Sequence, residues 1–250
     1  MRGIIKQILY ASRRDALFLG TTFIVLICAG LSCFIGSNAV VEAQEARIAY
    51  TAGISRIAVM LGFIVFVVFY IKRMFENHEI EVILSHSISR TKVLIAMFCG
   101  FAITLFTLLV PVCVMLFLLK TSFTGLLVWA LSIYLEGLLM LSFTLCCALI
   151  INSQVHSLAG CVMMYMIGRV IGSFVYYISL SLKLDLYSVL SSILRVLSIC
   201  LPRLDLFGKT SWLLYSDFSI GSIGLFLTQT LAFCGIFVFA AIIDLKKKEF

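Results

Sequence analysis

The sequence predicts an all-α membrane protein with six transmembrane helices in a single domain over residues 1–250. An N-terminal interfacial helix precedes the spans, and a re-entrant or interfacial segment lies on the outer side between helices five and six. Three observations lead there. Apolar residues make up 62% of the chain and charged residues only 12%, against about 25% charged in soluble domains. Several apolar runs exceed the roughly 18 residues that mark a spanning helix. Lys and Arg gather in alternate connections, as the positive-inside rule requires.

The spans are expected at Leu17–Gly36, Gly53–Ile71, Val93–Leu119, Gly125–Ile151, Leu158–Leu182 and Ser219–Ile243. They read as helices because an open strand cannot satisfy its backbone in hydrocarbon, and the alternating ten-residue pattern of barrel strands is absent. The first run is longer than a signal-peptide core of about 7–15 residues, so it is a retained anchor. The second is the weakest: its unbroken apolar part starts at Ile57, and Arg56 is expected to snorkel to the interface.

With the N-terminus inside, eleven Lys and Arg fall on the inner side, in the N-terminal tail, the 72–92 loop and Lys246–Lys248. Seven fall outside: Arg47, Arg56, Lys120, Lys183, Arg195, Arg203 and Lys209. Both termini are therefore expected in the cytoplasm, with the chain multi-pass in a cell membrane, inner or plasma. The net charge of +7 suits anionic lipid of the inner leaflet. Scattered at membrane edges, these charges form no nucleic-acid surface. Eight of the nine cysteines lie in expected spans and only Cys200 in an outer loop, so no disulfide framework is expected.

Ile4, Ile5, Ile8 and Leu9 share one helical face of Met1–Ala16, with Arg2, Lys6, Arg13 and Arg14 mainly off it. That pattern fits a helix lying in the interface; a basic tail without fixed structure is the alternative. The loop Ser37–Ala52 reads as solvated, while Lys120–Thr124 and Asn152–His156 are tight links. The outer stretch 183–218 is long yet rich in Leu, Ile and Val at helical spacing up to Pro202, followed by Trp212-Leu213-Leu214-Tyr215, whose aromatics suit the interface. No internal repeat supports an inverted-repeat transporter.

Catalytic motifs are missing: no HExxH, CxxC, GxSxG or phosphate-binding GxxxxGK[ST] occurs. His78, His86 and His156 fall in inner loops without cysteine partners, so no metal site is expected. Two ionisable residues lie inside spans, Glu136 in the fourth and Arg169 in the fifth, at comparable depth on adjacent helices. A lone charge there costs at least about 2.5–3.5 kcal/mol. They are expected to form an intramembrane ion pair or to face a polar cavity, as a structural bond or as part of a pathway. Gly168 and Gly172 give a small-xxx-small spacing for helix packing, within the subunit or at a dimer contact. Polar candidates for a pathway are few: Thr104, Thr107, Ser132, Ser142 and Thr144. That leans toward an amphipathic or lipid-like cargo, or a pathway closed at rest.

The segment Lys72–Lys92 is the charged break in this apolar chain. As a helix it aligns Ile80, Leu84 and Ile88 in an apolar stripe, with Glu76, Asn77, Glu81 and Ser85 largely off it. The stripe can rest on the span ends while the polar groups meet a partner in water. Glu76, Glu79, Glu81, Leu84, Ser85, Ile88, Ser89 and Arg90, with the return at Val93-Leu94, resemble the first inner loop of ABC-2-type ABC transporter permeases. Ser87 stands where that family has proline, and Met97 where it often has lysine. The resemblance implies that these eight residues form a cytoplasmic coupling helix contacting a separate ABC ATP-binding subunit. It implies a permease subunit that forms a translocation pathway and is not itself an enzyme. ATP and Mg would bind the partner, and no cofactor would bind this chain directly. A homodimer, or pairing with a paralogous permease, is implied too. A haem-exporter membrane subunit and a non-transporting assembly or anchor protein are the alternatives.

Overall fold

The computed structural model describes residues 2–14, 16–38, 43–79, 89–180, 201–215 and 220–247. Among them every regular element is helical and there is no strand. The helices are α1 (Arg2–Arg14), α2 (Ala16–Asn38), α3 (Ala43–Glu76), α4 (Arg90–Leu118), α5 (Phe123–Ile150), α6 (Gln154–Leu180), α7 (Ser211–Tyr215) and α8 (Ile220–Lys247), with a 3-10 turn at Leu204–Leu206.

Among the described residues five helices are long and apolar enough to cross a membrane: α3, α4, α5, α6 over Gln154–Phe174 and α8 over Ile223–Leu245. The protein is thus a multi-pass membrane protein. The expected first span falls on α2, whose described apolar stretch, Leu19–Cys28, is shorter. The expected second span, Gly53–Ile71, is only the middle of α3. Residues read as a solvated loop join this helix from Ala43, because Ile48, Thr51 and Ala52 turn inward and bury.

Each helix end has a local cause. The left-handed His78 (φ 55°) stops α3, with Asn77 N–H on Arg73 O and His78 N–H on Phe75 O. The α4–α5 link turns through a second left-handed residue, Lys120 (φ 59°). The Thr121 hydroxyl donates to Leu116 O at 3.0 Å, a second donor beside the Leu119 N–H on a carbonyl of the last turn of α4. The Ser122 hydroxyl caps α5 by accepting from Gly125 N–H.

Packing centres on α5, where Trp129, Ile133, Leu139, Met140 and Leu141 are fully enclosed. Helices α3, α4, α6 and α8 surround it. Edge-on rings of Phe66, Tyr70 and Phe101 join α3 to α4 at centroid distances of 5.5–6.0 Å. Amphipathic α1 lies on α4, with Ile4 and Ile8 buried and Ile8 seated over Gly100, where a Cβ would come within 2.8 Å of Ile8 Cδ1.

Side-chain bonds sort the helix ends into two groups. At one end, Lys72 donates to Ala148 O at 2.7 Å and to Ile151 O, joining the last turns of α3 and α5. Arg90 donates to Leu245 O at 2.9 Å, joining the start of α4 to the end of α8. At the other end, Gln44 donates to Leu119 O at 3.4 Å and Tyr215 to Glu45 at 3.0 Å.

Candidate functional site

Charged side chains meet in the middle of the bundle, where the sequence placed Glu136 and Arg169. The Lys72 bonds to the end of α5 set α3 and α5 at one level. Counting back from there at about 1.5 Å per residue, Arg56 stands about 24 Å in and Glu136 about 22 Å in. Arg169 stands about 22 Å from the adjacent start of α6. All three therefore share a depth.

The pairing differs from the one expected. Glu136 bonds to Arg56, whose Nε donates to Oε2 at 2.8 Å and whose Nη2 contacts the same oxygen. Arg169 donates instead to Leu204 O at 3.3 Å. Its charge still acts on the Glu136 carboxylate, though less than that of Arg56. Arg56 does not snorkel: its side chain is 4% exposed and that of Glu136 0%. The cause lies in the outer stretch, which brings backbone acceptors to this depth.

Residues 202–208 enter the bundle as irregular chain around the single 3-10 turn at Leu204–Leu206. Arg56 Nη1 donates to Gly208 O at 3.0 Å, and Nη2 to Leu204 O at 3.3 Å. Leu204 O thus receives both guanidinium groups. Gly208 N–H donates to Ser132 Oγ on α5 at 2.7 Å. The bonds at Gly208 serve peptide groups outside any helix, and those at Leu204 O add to the 3-10 bond it accepts from Phe207 N–H. Gly208 is left-handed (φ +54°), and a Cβ there would press on Arg56 at 2.6–2.7 Å, so both backbone and space require glycine.

Gly168 and Gly172 of α6 admit this returning segment and not a neighbouring helix. A Cβ on Gly168 would meet Leu204 and Pro202 O at 3.0 Å, and one on Gly172 would collide with the Asp205 carboxylate. Asp205 itself accepts from Arg203 Nη2 at 3.1 Å. Beyond the segment, Trp212 lies 3% exposed against Phe226, with Phe207 on the other side of that ring. The sequence put this aromatic at the interface; it packs inside. Tyr215 remains exposed.

Two polar atoms beside the clamp have no hydrogen-bond partner, Glu136 Oε1 and the Tyr165 hydroxyl, both buried. Tyr165 lies one turn before Arg169 on α6 and is within electrostatic reach of Glu136 and both arginines. Among the described residues no group of His, Cys, Asp and Glu could hold a metal ion. The arrangement is suited to holding a chain segment by its carbonyls.

The second candidate region is only partly described. Glu81, Leu84, Ser85 and Ile88 lie outside the described residues. Glu76 is exposed on the last turn of α3. Glu79 accepts from Gln7 of α1 at 3.0 Å. Ser89 is exposed at the N-cap of α4, and Arg90 holds Leu245 O. No family model matches the chain, and no curated protein does.

Arg56 was the site residue the sequence hid. A depth count from Lys72 and Ile151 would have found it, but only with the α3–α5 level known.

Proposed function

We propose that the protein is the permease subunit of an ABC-2-type ATP-driven transporter, with hydrolysis on a separate ATP-binding subunit that also holds ATP and Mg. On this reading α2 is the sixth span, α1 lies in the inner interface, and both termini are cytoplasmic in an inner or plasma membrane. Two such subunits, identical or paralogous, enclose the pathway.

Support comes from the loop resemblance together with the way the 79–90 segment is tied. One end is bonded to α1 through Gln7–Glu79. The other is bonded to the end of α8 through Arg90–Leu245. A push on the loop therefore reaches four helices at once. One of them, α3, runs unbroken from Ala43 to Glu76 and carries Arg56. In this mechanism the ATPase displaces the loop, α3 follows, and Arg56 shifts beneath the 202–208 segment, which acts as the outer gate.

The test is copurification. Protein extracted in mild detergent from its native membrane is expected to bring Mg-ATPase activity with it. Leu84→Asp with Glu81→Lys removes that activity while gel filtration and helical content stay unchanged. Equal ATPase activity in wild type and variant sinks the proposal.

A further inference from the structure

A groove of about 770 Å³ runs along the outer faces of α4 and α5, unconnected with the charged clamp. Leu109 and Leu126 form its buried floor. Phe106, Val110, Val114, Phe117, Leu127 and Leu131 form its walls, all of them 45–60% exposed. The only polar atoms its side chains contribute are the Cys113 thiol and the Tyr134 hydroxyl. Phe106 and Tyr134 meet edge to face at 6.1 Å and close the lower end. The upper end lies at Phe117 and Phe123, and the turn that links these two residues carries the exposed, left-handed Lys120 with the Ser122 and Thr124 hydroxyls.

We infer that this groove seats one phospholipid of the leaflet at the Lys120 end, with an acyl chain between α4 and α5 and its phosphate against Lys120. Length is the first reason. Phe106 and Phe117 are about 16 Å apart along the helix, close to the roughly 15 Å of hydrocarbon in one leaflet. Charge is the second, because the cation lies at the mouth and the rest of the groove is apolar. The third is the character of the walls. Helices associate in membranes through Gly, Ala, Ser and Thr, and Ala130 is the only such residue in this lining. Bulky walls around a narrow floor favour a flexible chain over a second helix.

The experiment uses the full-length protein in phosphatidylethanolamine vesicles containing phosphatidylethanolamine with a diazirine on one acyl chain. After illumination the label is mapped by mass spectrometry. It is expected to concentrate on Val110, Val114 and Leu127, above Leu231 and Phe239 of α8, which are at least as exposed. Lys120→Gln lowers labelling of Val110, Val114 and Leu127 and leaves that of Leu231 and Phe239 unchanged. Ala130→Phe fills the groove and removes label from Val114. Equal labelling of the groove and α8 overturns the inference, as passing contact with bulk lipid only. So does a groove protected from label but crosslinked between two copies of the chain.

Discussion

Arg56 is the residue on which most of the interior polar bonding converges, since it serves a carboxylate and two backbone carbonyls at once. Burying two charges is costly, and a buried pair stabilises mainly against the loss of one partner, which costs about 3–5 kcal/mol. Glu136→Gln is therefore expected to lower stability by about that amount in denaturant titration of the micellar protein. Combining it with Arg56→Gln recovers part of the loss and not all, because Gly208 O loses the Arg56 donor and Leu204 O keeps only Arg169 and the Phe207 N–H. The coupling of Glu136 with Arg56 should exceed that of Glu136 with Arg169 in paired mutant cycles. Equal couplings would return the pairing to Arg169. Glu136 was legible as a residue needing a partner, because a charge in a span has few places to go. Its choice of Arg56 was not, since Arg56 sits where α3's apolar run begins and reads as an interface residue until α3's full length is known.

At the scale of elements, the interaction that decides the outer half is α6 against residues 202–208. Gly172 leaves room for the Asp205 carboxylate, whereas Gly160, on the same helix, has nothing within 4 Å of where a Cβ would stand. Gly172→Val should push the segment outward and speed tryptic cleavage after Lys209, an exposed site. Gly160→Ala should leave the rate unchanged. An unaltered digestion rate in Gly172→Val would mean that the segment is held elsewhere. The glycines were visible as a close-approach pattern, but spacing names no partner, and the segment that fills them is a single 3-10 turn in irregular chain, too short for a periodicity to read. Helix positions themselves were legible wherever apolar runs were long, as at Val93–Leu119 against α4 and Gly125–Ile151 against α5. They were least legible at α3, where Ala43–Ala52 carries Gln44, Glu45 and Arg47 yet buries Ile48, Thr51 and Ala52.

Across the whole molecule, the two groups of helix ends carry different charge. Among the described residues, the end with α1, Lys72, Arg90 and the close of α8 holds most of the Lys and Arg, while the Lys120 end holds few. Arg56 is buried in an ion pair and so drops out of this comparison, which sharpens the asymmetry between the two ends. Alkaline phosphatase joined after Lys120 should be active outside the cytoplasm, and joined after Ser153 or Lys247 inactive. The reverse pattern would invert the protein in its membrane. The same bonds have a mechanical corollary. Helices α3 and α5 are riveted twice, by Lys72 at one end and by Arg56–Glu136 about 24 Å away. Two rivets forbid sliding and rotation, so the pair behaves as one stiff beam. If the beam moves against α6, as the proposed transport cycle requires, the joint that feels it is Leu204 O, gripped from the beam by Arg56 and from α6 by Arg169.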